Sequence, residues 1–216
     1  MNNPLSTPSF ISPEISDRSI VEYPLLKLGV LASGNGTNFE ALIQAIANGE
    51  LKAEVPVVIY NNPGAAVAAR AQRWGIPAVL LNHRDFQSRA AFDFQVAQTL
   101  HQYGVEWVIM AGWMRRVTEA LLDAFPNKII NIHPSLLPSF PGIRAIEQAL
   151  DAKVKITGCT VHFVCLEVDS GPILMQAAVP ILPDDTSETL HARIQIQEHK
   201  IFPRAIALAA MQSSKK

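Results

Sequence analysis

The sequence has few of the features that mark exported, membrane-spanning or nucleic-acid-binding proteins. Only two of its 216 residues are cysteine, which excludes a disulfide framework and favours reduced thiols in a cytoplasmic protein. Its 18 basic and 19 acidic residues leave a formal net charge of -1, so the broad positive field of a nucleic-acid-binding protein is missing. The chain has no run of 18 or more apolar residues, and we expect no membrane span.

Several common catalytic signatures are also missing. The histidines and cysteines show no HExxH or CxxC arrangement, so we expect no metal site. No G-x-S-x-G elbow is present, which argues against a serine hydrolase. The glycine-rich segment 33–38 has Phe39 where a dinucleotide fingerprint needs its third glycine, and no Gly-Lys-Ser/Thr of a P-loop follows. The segment therefore argues against NAD binding and excludes a P-loop.

The order of apolar runs and helical patterns predicts an α/β fold. We expect an open, mostly parallel twisted sheet with helices on both faces and a C-terminal extended strand pair, all in one domain over residues 27–210. Residues 1–26 are expected to form a disordered leader and residues 211–216 a flexible tail. The predicted strands are Lys27 to Ala32, Glu54 to Tyr60, Ile76 to Leu81, Val105 to Ala111, Lys128 to Ile132, Gly158 to Val168 and Pro172 to Ile181. A last helix should begin near Thr186, where Pro203 would kink or divide it.

The segment Ser33-Gly34-Asn35-Gly36-Thr37-Asn38 lies between the first predicted strand and helix. Its glycines allow a tight turn that aims backbone N–H groups outwards, and the helix N-terminus behind it favours an anion. A plain turn and helix cap is the alternative interpretation. With the rest of the chain, we favour a site for a terminal phosphate.

Asn131 and His133 lie two residues apart at the predicted carboxyl end of a central strand. Side chains at this spacing point the same way, so an amide and an imidazole can converge on one carbonyl oxygen, as acyl transfer requires. Asp169, in a predicted turn, could lie beside His133 and help to relay protons. Taken singly, such residues are more often structural than catalytic.

Four strings in order carry a resemblance to a known family. These are Ser-Gly-Asn-Gly-Thr-Asn at 33–38, Ala-Gly-Trp-Met-Arg-Arg-Val at 111–117, Asn-Ile-His-Pro-Ser-Leu-Leu-Pro at 131–138, and the segment 157–174 that contains Val-Asp-Ser-Gly-Pro-Ile-Leu. Over roughly residues 27 to 210, the chain resembles the phosphoribosylglycinamide formyltransferases, a folate-dependent formyltransferase family. The resemblance implies a Rossmann-like formyltransferase fold.

The resemblance also implies formyl transfer from 10-formyltetrahydrofolate, as co-substrate, to the amine of glycinamide ribonucleotide in de novo purine synthesis. No metal, nucleic acid or membrane partner is implied, and either a monomer or a homodimer is compatible with it. It assigns catalysis to Asn131, His133 and Asp169, substrate binding to Gly36, Thr37, Asn38 and Glu198, and the folate pocket to Arg89, Met114, Arg115, Arg116, Val117 and Asn131. Without these motifs, surface solvation would explain the arginines and core packing would explain Met114.

Three other functions remain as alternatives. Formyltetrahydrofolate deformylase shares the Asn/His/Asp chemistry but carries an added regulatory domain, for which the 26-residue leader is too short. Methionyl-tRNA formyltransferase would need a further C-terminal domain and a basic face. A non-catalytic module that binds a phosphate sugar is the alternative from a different class.

Overall fold

An eight-stranded mixed sheet runs through the part of the chain that the computed structural model describes, residues 10–13 and 23–213. Its strands are β1 (Phe10–Ser12), β2 (Leu26–Ala32), β3 (Ala53–Tyr60), β4 (Ala78–Leu80), β5 (Trp107–Met110), β6 (Ile129–His133), β7 (Ile156–Phe163) and β8 (Ile173–Pro180). They lie in the order β1-β8-β7-β6-β5-β2-β3-β4. Strands β2 to β6 pair in parallel, whereas β7, β8 and β1 are added antiparallel. The predicted fold class is confirmed, including the C-terminal strand pair.

Helices cover both faces of this sheet. They are α1 (Thr37–Ala47), α2 (Val67–Arg73), α3 (Arg89–Gln102), α4 (Glu119–Ala124), α5 (Ala145–Asp151) and α6 (Ser187–Ser213). Helices α1, α2, α5 and α6 bury their apolar side chains in one core, and α3 and α4 bury theirs in a second. Strand β5 separates the two cores, since Ile109 belongs to the first and Val108 to the second. Burial on both faces explains why this strand is apolar throughout.

The central strand β2 pairs with β3 on one side and with β5 on the other. The chain therefore leaves β2 towards one edge of the sheet and later returns to build the other edge. Such a switch opens a crevice at the carboxyl ends of the strands. The segments 33–36, 111–117 and 134–142, which follow β2, β5 and β6, all begin at this edge.

The expectation of a disordered leader is wrong at the leader residues that the structure describes. Residues 10–12 form β1, which pairs with β8 and so covers the outer edge of the sheet. Tyr23 is buried, and its hydroxyl accepts a hydrogen bond from the Lys52 N–H at 3.1 Å. Leu26 already belongs to β2. The leader's other residues, 1–9 and 14–22, lie outside the described residues.

Two expectations about the C-terminal part also need correction. Helix α6 continues through Pro203 to Ser213, so it is not divided and includes the first residues of the expected tail; residues 214–216 lie outside the described residues. Interior proline costs a helix about 3 kcal/mol, and the burial of Ile201, Phe202 and Ala205 on either side offsets this. Strand β7 ends at Phe163, not at residue 168, so Cys165 does not share a strand with Cys159. The structure describes no helix that is long and apolar enough to cross a membrane.

Candidate active site

Strand β6 carries Asn131 and His133 to the crevice. The strand is parallel to β5 and antiparallel to β7, so its backbone is held on both sides. In the register with β7, Asn131 lies opposite His162 and His133 lies opposite Thr160. The side chain of His133 is nearly buried and that of Asn131 partly so. The predicted pair therefore occupies a rigid position at the carboxyl end of a central strand.

Asp169 lies beside His133, as the sequence led us to expect. Oδ2 of Asp169 is 3.3 Å from Nδ1 of His133 and accepts a hydrogen bond from the Gly142 N–H at 2.7 Å. Nε2 of His133 donates to the carbonyl oxygen of Phe140 at 2.9 Å, because a carbonyl can only accept. The two ring nitrogens thus have different partners, and the ring is held between the loop after β6 and the turn that carries Asp169.

His162 is a member of this cluster that the sequence reasoning missed. Its Nε2 lies 3.1 Å from Nδ2 of Asn131 and 3.6 Å from Oδ1 of Asp169, while Nδ1 donates to its neighbour's carbonyl oxygen, that of Phe163. The imidazole therefore connects the amide to the carboxylate. His162 lies within the predicted strand 158–168, but only the antiparallel pairing of β7 with β6 places it opposite Asn131.

The cluster keeps Asp169 ionised. Burial acts to raise the pKa of this carboxyl, but the His162 side chain, the Gly142 N–H and the charge of His133 outweigh burial, so the pKa lies below its ordinary value. The carboxylate is therefore negatively charged where it faces Nδ1 of His133.

Asp169 reaches this position because of a close backbone approach at Gly171. A Cβ atom at Gly171 would collide with the carbonyl oxygen of Phe163, so no larger residue fits the turn without a shift. Asp169 itself has a φ of 53°, in the left-handed region that Asp and Asn tolerate better than most residues. The turn brings the chain from β7 back into β8 with the carboxylate aimed at the cavity.

A cavity of about 480 Å³ opens over the cluster. Its wall combines Asn131, His133, His162 and Asp169 with three loop segments, 112–117, 142–145 and 164–168. Of the predicted folate residues, Met114, Arg115, Arg116 and Val117 all line it. Met114 is 72% exposed, so it is not a core residue, as the alternative interpretation would require.

Arg89 lies outside this cavity. It lines an adjoining open groove of about 560 Å³, together with Arg116, Val117 and Glu119. Since Arg116 and Val117 belong to both walls, the groove continues the cavity outwards. The structure therefore places the predicted folate residues along one path, with Arg115 in the inner cavity and Arg89 and Arg116 in the outer groove.

Phe92 of α3 packs against segment 111–117, which carries Arg115 and Arg116. Its ring stacks on Trp113, with centroids 5.9 Å apart, and lies 5.7 Å from the guanidinium carbon of Arg115. Asp93 beside it accepts hydrogen bonds from the backbone N–H and the hydroxyl of Thr118 at 2.6 and 2.8 Å. Burial raises the pKa of Asp93 in spite of these bonds. Nε of Arg115 is buried and finds no acceptor among the described residues.

The glycine-rich segment of residues 33–38, called the glycine loop below, lies next to this cavity. Oγ of Ser33 accepts a hydrogen bond from the Met114 N–H at 2.8 Å, and the Ser33 N–H donates to the Gly112 carbonyl at 3.0 Å. Gly36 immediately precedes α1 as its N-cap residue and has a φ of 72°, and a Cβ there would lie 2.5 Å from Cγ2 of Val67. Glycine is therefore required at position 36 by both conformation and space.

Helix α6 completes the site around the glycine loop. Nδ2 of Asn38 donates to Oε2 of Glu198 at 3.1 Å, although the two residues are 160 positions apart. Burial raises the pKa of Glu198, while Asn38 and the charge of His191 act in the opposite direction. Nε2 of Gln195, which the sequence reasoning did not assign, donates to Oγ1 of Thr37 at 2.9 Å. Thr37, Asn38 and Glu198 thus form a second polar group, separate from the wall of the cavity.

Comparison with known proteins identifies the family. A family model described as formyl transferase matches residues 26–206. The chain belongs to the formyl transferase family. It is 42% identical to the phosphoribosylglycinamide formyltransferase of Bacillus subtilis, over 83% of this chain and 92% of that protein. The resemblance predicted from the sequence motifs is confirmed.

Longer relatives and solved structures agree with this assignment. The chain is 44% identical to the trifunctional purine biosynthetic protein adenosine-3 of Bos taurus over 85% of its own length, and it spans 18% of that relative. The crystal structure of glycinamide ribonucleotide transformylase 1 from Symbiobacterium toebii superposes with a TM-score of 0.86 at 48% identity. That match covers 87% of this chain and 89% of the solved one.

Proposed function

We propose that this protein transfers the formyl group of 10-formyltetrahydrofolate to the amine of glycinamide ribonucleotide in purine biosynthesis. The observation that carries the proposal is the convergence of Asn131, His133 and Asp169 at the cavity wall. Relatives named for this activity match most of the chain. The chemistry of the cluster suits an acyl transfer in which a carbonyl oxygen becomes negative and one proton changes place.

Asn131 is the proposed donor to the formyl oxygen. One of its two amide hydrogens faces His162, and the other is free to point into the cavity. When the amine attacks the formyl carbon, a C–N bond forms and the carbonyl electron pair moves to oxygen. A fixed donor at this oxygen typically contributes about 10²–10³ in rate.

His133 and Asp169 are the proposed proton carriers. The attacking amine must lose a proton, and N10 of the folate must gain one when its bond to the formyl carbon breaks. His133 can mediate this exchange because Asp169 stays ionised and stabilises the protonated ring. The proton that the amine loses balances the proton that N10 gains, so the reaction needs no added acid or oxidant. That the protein uses no metal stays a prediction.

The two ligands are proposed to bind on opposite sides of this cluster. Backbone N–H groups at Gly36, Thr37 and Asn38 would hold the phosphate at the N-terminus of α1. Glu198, anchored through Asn38, would lie near the glycinamide amine. The cavity would take the folate rings, with Met114 and Val117 in its wall. Arg89, Arg115 and Arg116 would face the negative glutamate end of the folate. The oligomeric state and the cytoplasmic location stay predictions.

A steady-state assay with and without glycinamide ribonucleotide tests the proposal. With 10-formyltetrahydrofolate present, we expect formylated product and loss of the folate formyl group only when the amine is supplied. Formate release without the amine would instead support a deformylase. Binding of both ligands without turnover would support a phosphate-sugar binding module.

The phosphate contact needs a separate test with the dephosphorylated substrate, glycinamide riboside. We expect its KM to exceed that of the ribonucleotide by about 10² or more, because several N–H groups would lose a charged acceptor. Equal KM values would contradict the role proposed for the glycine loop and leave formyl transfer itself in place.

A further inference from the structure

Three consecutive carbonyls of the glycine loop, those of residues 33 to 35, are each held from the same side. Nδ2 of Asn62 donates to the first at 2.8 Å. The backbone N–H of Val67 donates to the second at 3.1 Å. Nε of Arg70 donates to the third at 2.7 Å. These donors all come from the contiguous segment 61–73, which includes α2, so one part of the chain holds the first half of the loop.

This arrangement determines where the loop's N–H groups point. In a planar trans peptide, the C=O of one residue and the N–H of the next point in opposite directions. Carbonyls that are all bonded towards α2 therefore turn the N–H groups of Gly34, Asn35 and Gly36 away from it. None of these three N–H groups finds a hydrogen-bond acceptor among the described residues. Successive free N–H groups of this kind form a concave anion site.

Arg70 is itself held in place by α1. Its Nη1 donates to Oε2 of Glu40 at 2.9 Å, while Nε reaches the carbonyl of Asn35, so its planar guanidinium is fixed at two points. Glu40 also accepts hydrogen bonds from Arg73 and from the Trp74 indole. Burial acts to raise the pKa of Glu40, but these partners lower it below its ordinary value. The charge that anchors Arg70 is therefore present at neutral pH.

We infer that Arg70 is a positioning residue that aims the N–H groups of the glycine loop at the substrate phosphate, with Asn62 acting in the same way on the Ser33 carbonyl. The inference rests on the proposed phosphate role of that loop. Arg70 acts through the backbone of Asn35, by excluding loop conformations in which the N–H groups turn inwards. A loop with two glycines would otherwise sample such conformations readily.

Arg73 provides a matched control. It lies one turn further along α2, carries the same charge and donates to the same oxygen, Oε2 of Glu40, at 3.0 Å. The structure gives it no hydrogen bond to the glycine loop. Loss of either arginine removes one positive charge and one partner of Glu40, but only the loss of Arg70 frees the carbonyl of Asn35.

Titration of inorganic phosphate into ¹⁵N-labelled protein tests the inference without any turnover. In the wild type, we expect the amide signals of residues 34 to 38 to shift on binding. Arg70→Met should weaken phosphate binding about tenfold, because a loop that holds its N–H groups outwards only about a tenth of the time has an apparent affinity lower by that factor. Arg73→Met should change it less than about twofold. Asn62→Ala, which changes no charge, should weaken it in the same direction as Arg70→Met.

Two results would overturn the inference. One is an equal loss of phosphate affinity in Arg70→Met and Arg73→Met, which would show that Arg70 acts only through its positive charge. The other is a wild-type protein whose loop amide signals do not shift when phosphate is added. If Arg70→Met does not fold, Arg70→Lys replaces it, because the lysine ammonium keeps the charge without the planar two-point contact. A wild type that fails to formylate glycinamide ribonucleotide would contradict the proposed function and leave this titration valid.

Discussion

Nδ1 of His133 and Oδ2 of Asp169 lie 3.3 Å apart, although 36 positions separate the two residues in the sequence. Strand β6 supplies the first and the turn between β7 and β8 supplies the second. The same carboxylate oxygen accepts the Gly142 N–H, so the loop after β6 and the turn before β8 meet at Asp169. The predicted catalytic pair is thus maintained by contacts from two separate segments.

The turn that carries Asp169 should be sensitive to any side chain at Gly171. In Gly171→Ala, the new Cβ would collide with the Phe163 carbonyl, so the turn must shift away from β7. We expect kcat to fall about tenfold or more, since a misplacement of about 1 Å at a catalytic group has effects of this size or larger. Ser170→Ala is the neighbouring control, because that side chain is exposed and bonds only locally. Normal turnover in Gly171→Ala would show that the turn tolerates the shift.

Arg115 should act on the folate and not on the ribonucleotide. Its buried Nε finds no acceptor among the described residues, and its guanidinium is held over the ring of Phe92. Arg115→Met should raise the KM for 10-formyltetrahydrofolate about tenfold, through loss of a charged hydrogen bond. The KM for glycinamide ribonucleotide should stay within about twofold. With a formylated folate that lacks the glutamate, wild type and variant should perform alike; a persistent difference would place Arg115 elsewhere.

Asp185 and Arg193 should contribute stability that depends on pH. Two hydrogen bonds, of 2.6 and 2.8 Å, join their buried side chains at the start of α6. Asp185→Asn leaves the guanidinium without its charge partner and should lower the free energy of unfolding by about 3 kcal/mol at neutral pH. Denaturant unfolding of both proteins measures the difference.

The same difference should disappear in acid. Burial acts to raise the pKa of Asp185, but Arg193, the Leu182 N–H and the Thr189 hydroxyl together hold it below its ordinary value. A carboxyl with a lowered folded-state pKa stabilises the protein above its unfolded pKa of about 4, and this contribution is lost as pH falls through the folded pKa. The gap between wild type and Asp185→Asn should therefore narrow below about pH 4. A gap that stays constant to pH 2 would contradict the ion pair as its source.

Much of the fold could be predicted because its signals are local. Strands β2 and β3 follow apolar runs, and their observed bounds lie within one residue of the expected ones. The expectation failed where tertiary contacts override local preference. Pro203 does not divide α6 because apolar burial on both sides maintains the helix. Phe10–Ser12 form a strand because the edge of β8 offers unpaired backbone groups, which no local pattern reveals.

The site residues, too, could be predicted only where the signal in the sequence is local. Asn131 and His133 were predictable together because alternation along one strand places them on the same side. Asp169 needed a turn whose direction depends on Gly171 and the end of β7, and His162 needed the register between two strands. The contact between Asn38 and Glu198 joins the first helix to the last, and only the family motifs pointed to it.

The kcat for formylation of glycinamide ribonucleotide by Asn131→Ala, His133→Ala and Asp169→Ala tests the central claim most directly. We expect each variant to fold and to turn over roughly 10²-fold more slowly than the wild type or worse, since each loses oxyanion stabilisation or proton transfer. The KM for each substrate should change much less than kcat. Near-normal kcat in all three variants would contradict the assignment of this cluster as the catalytic centre.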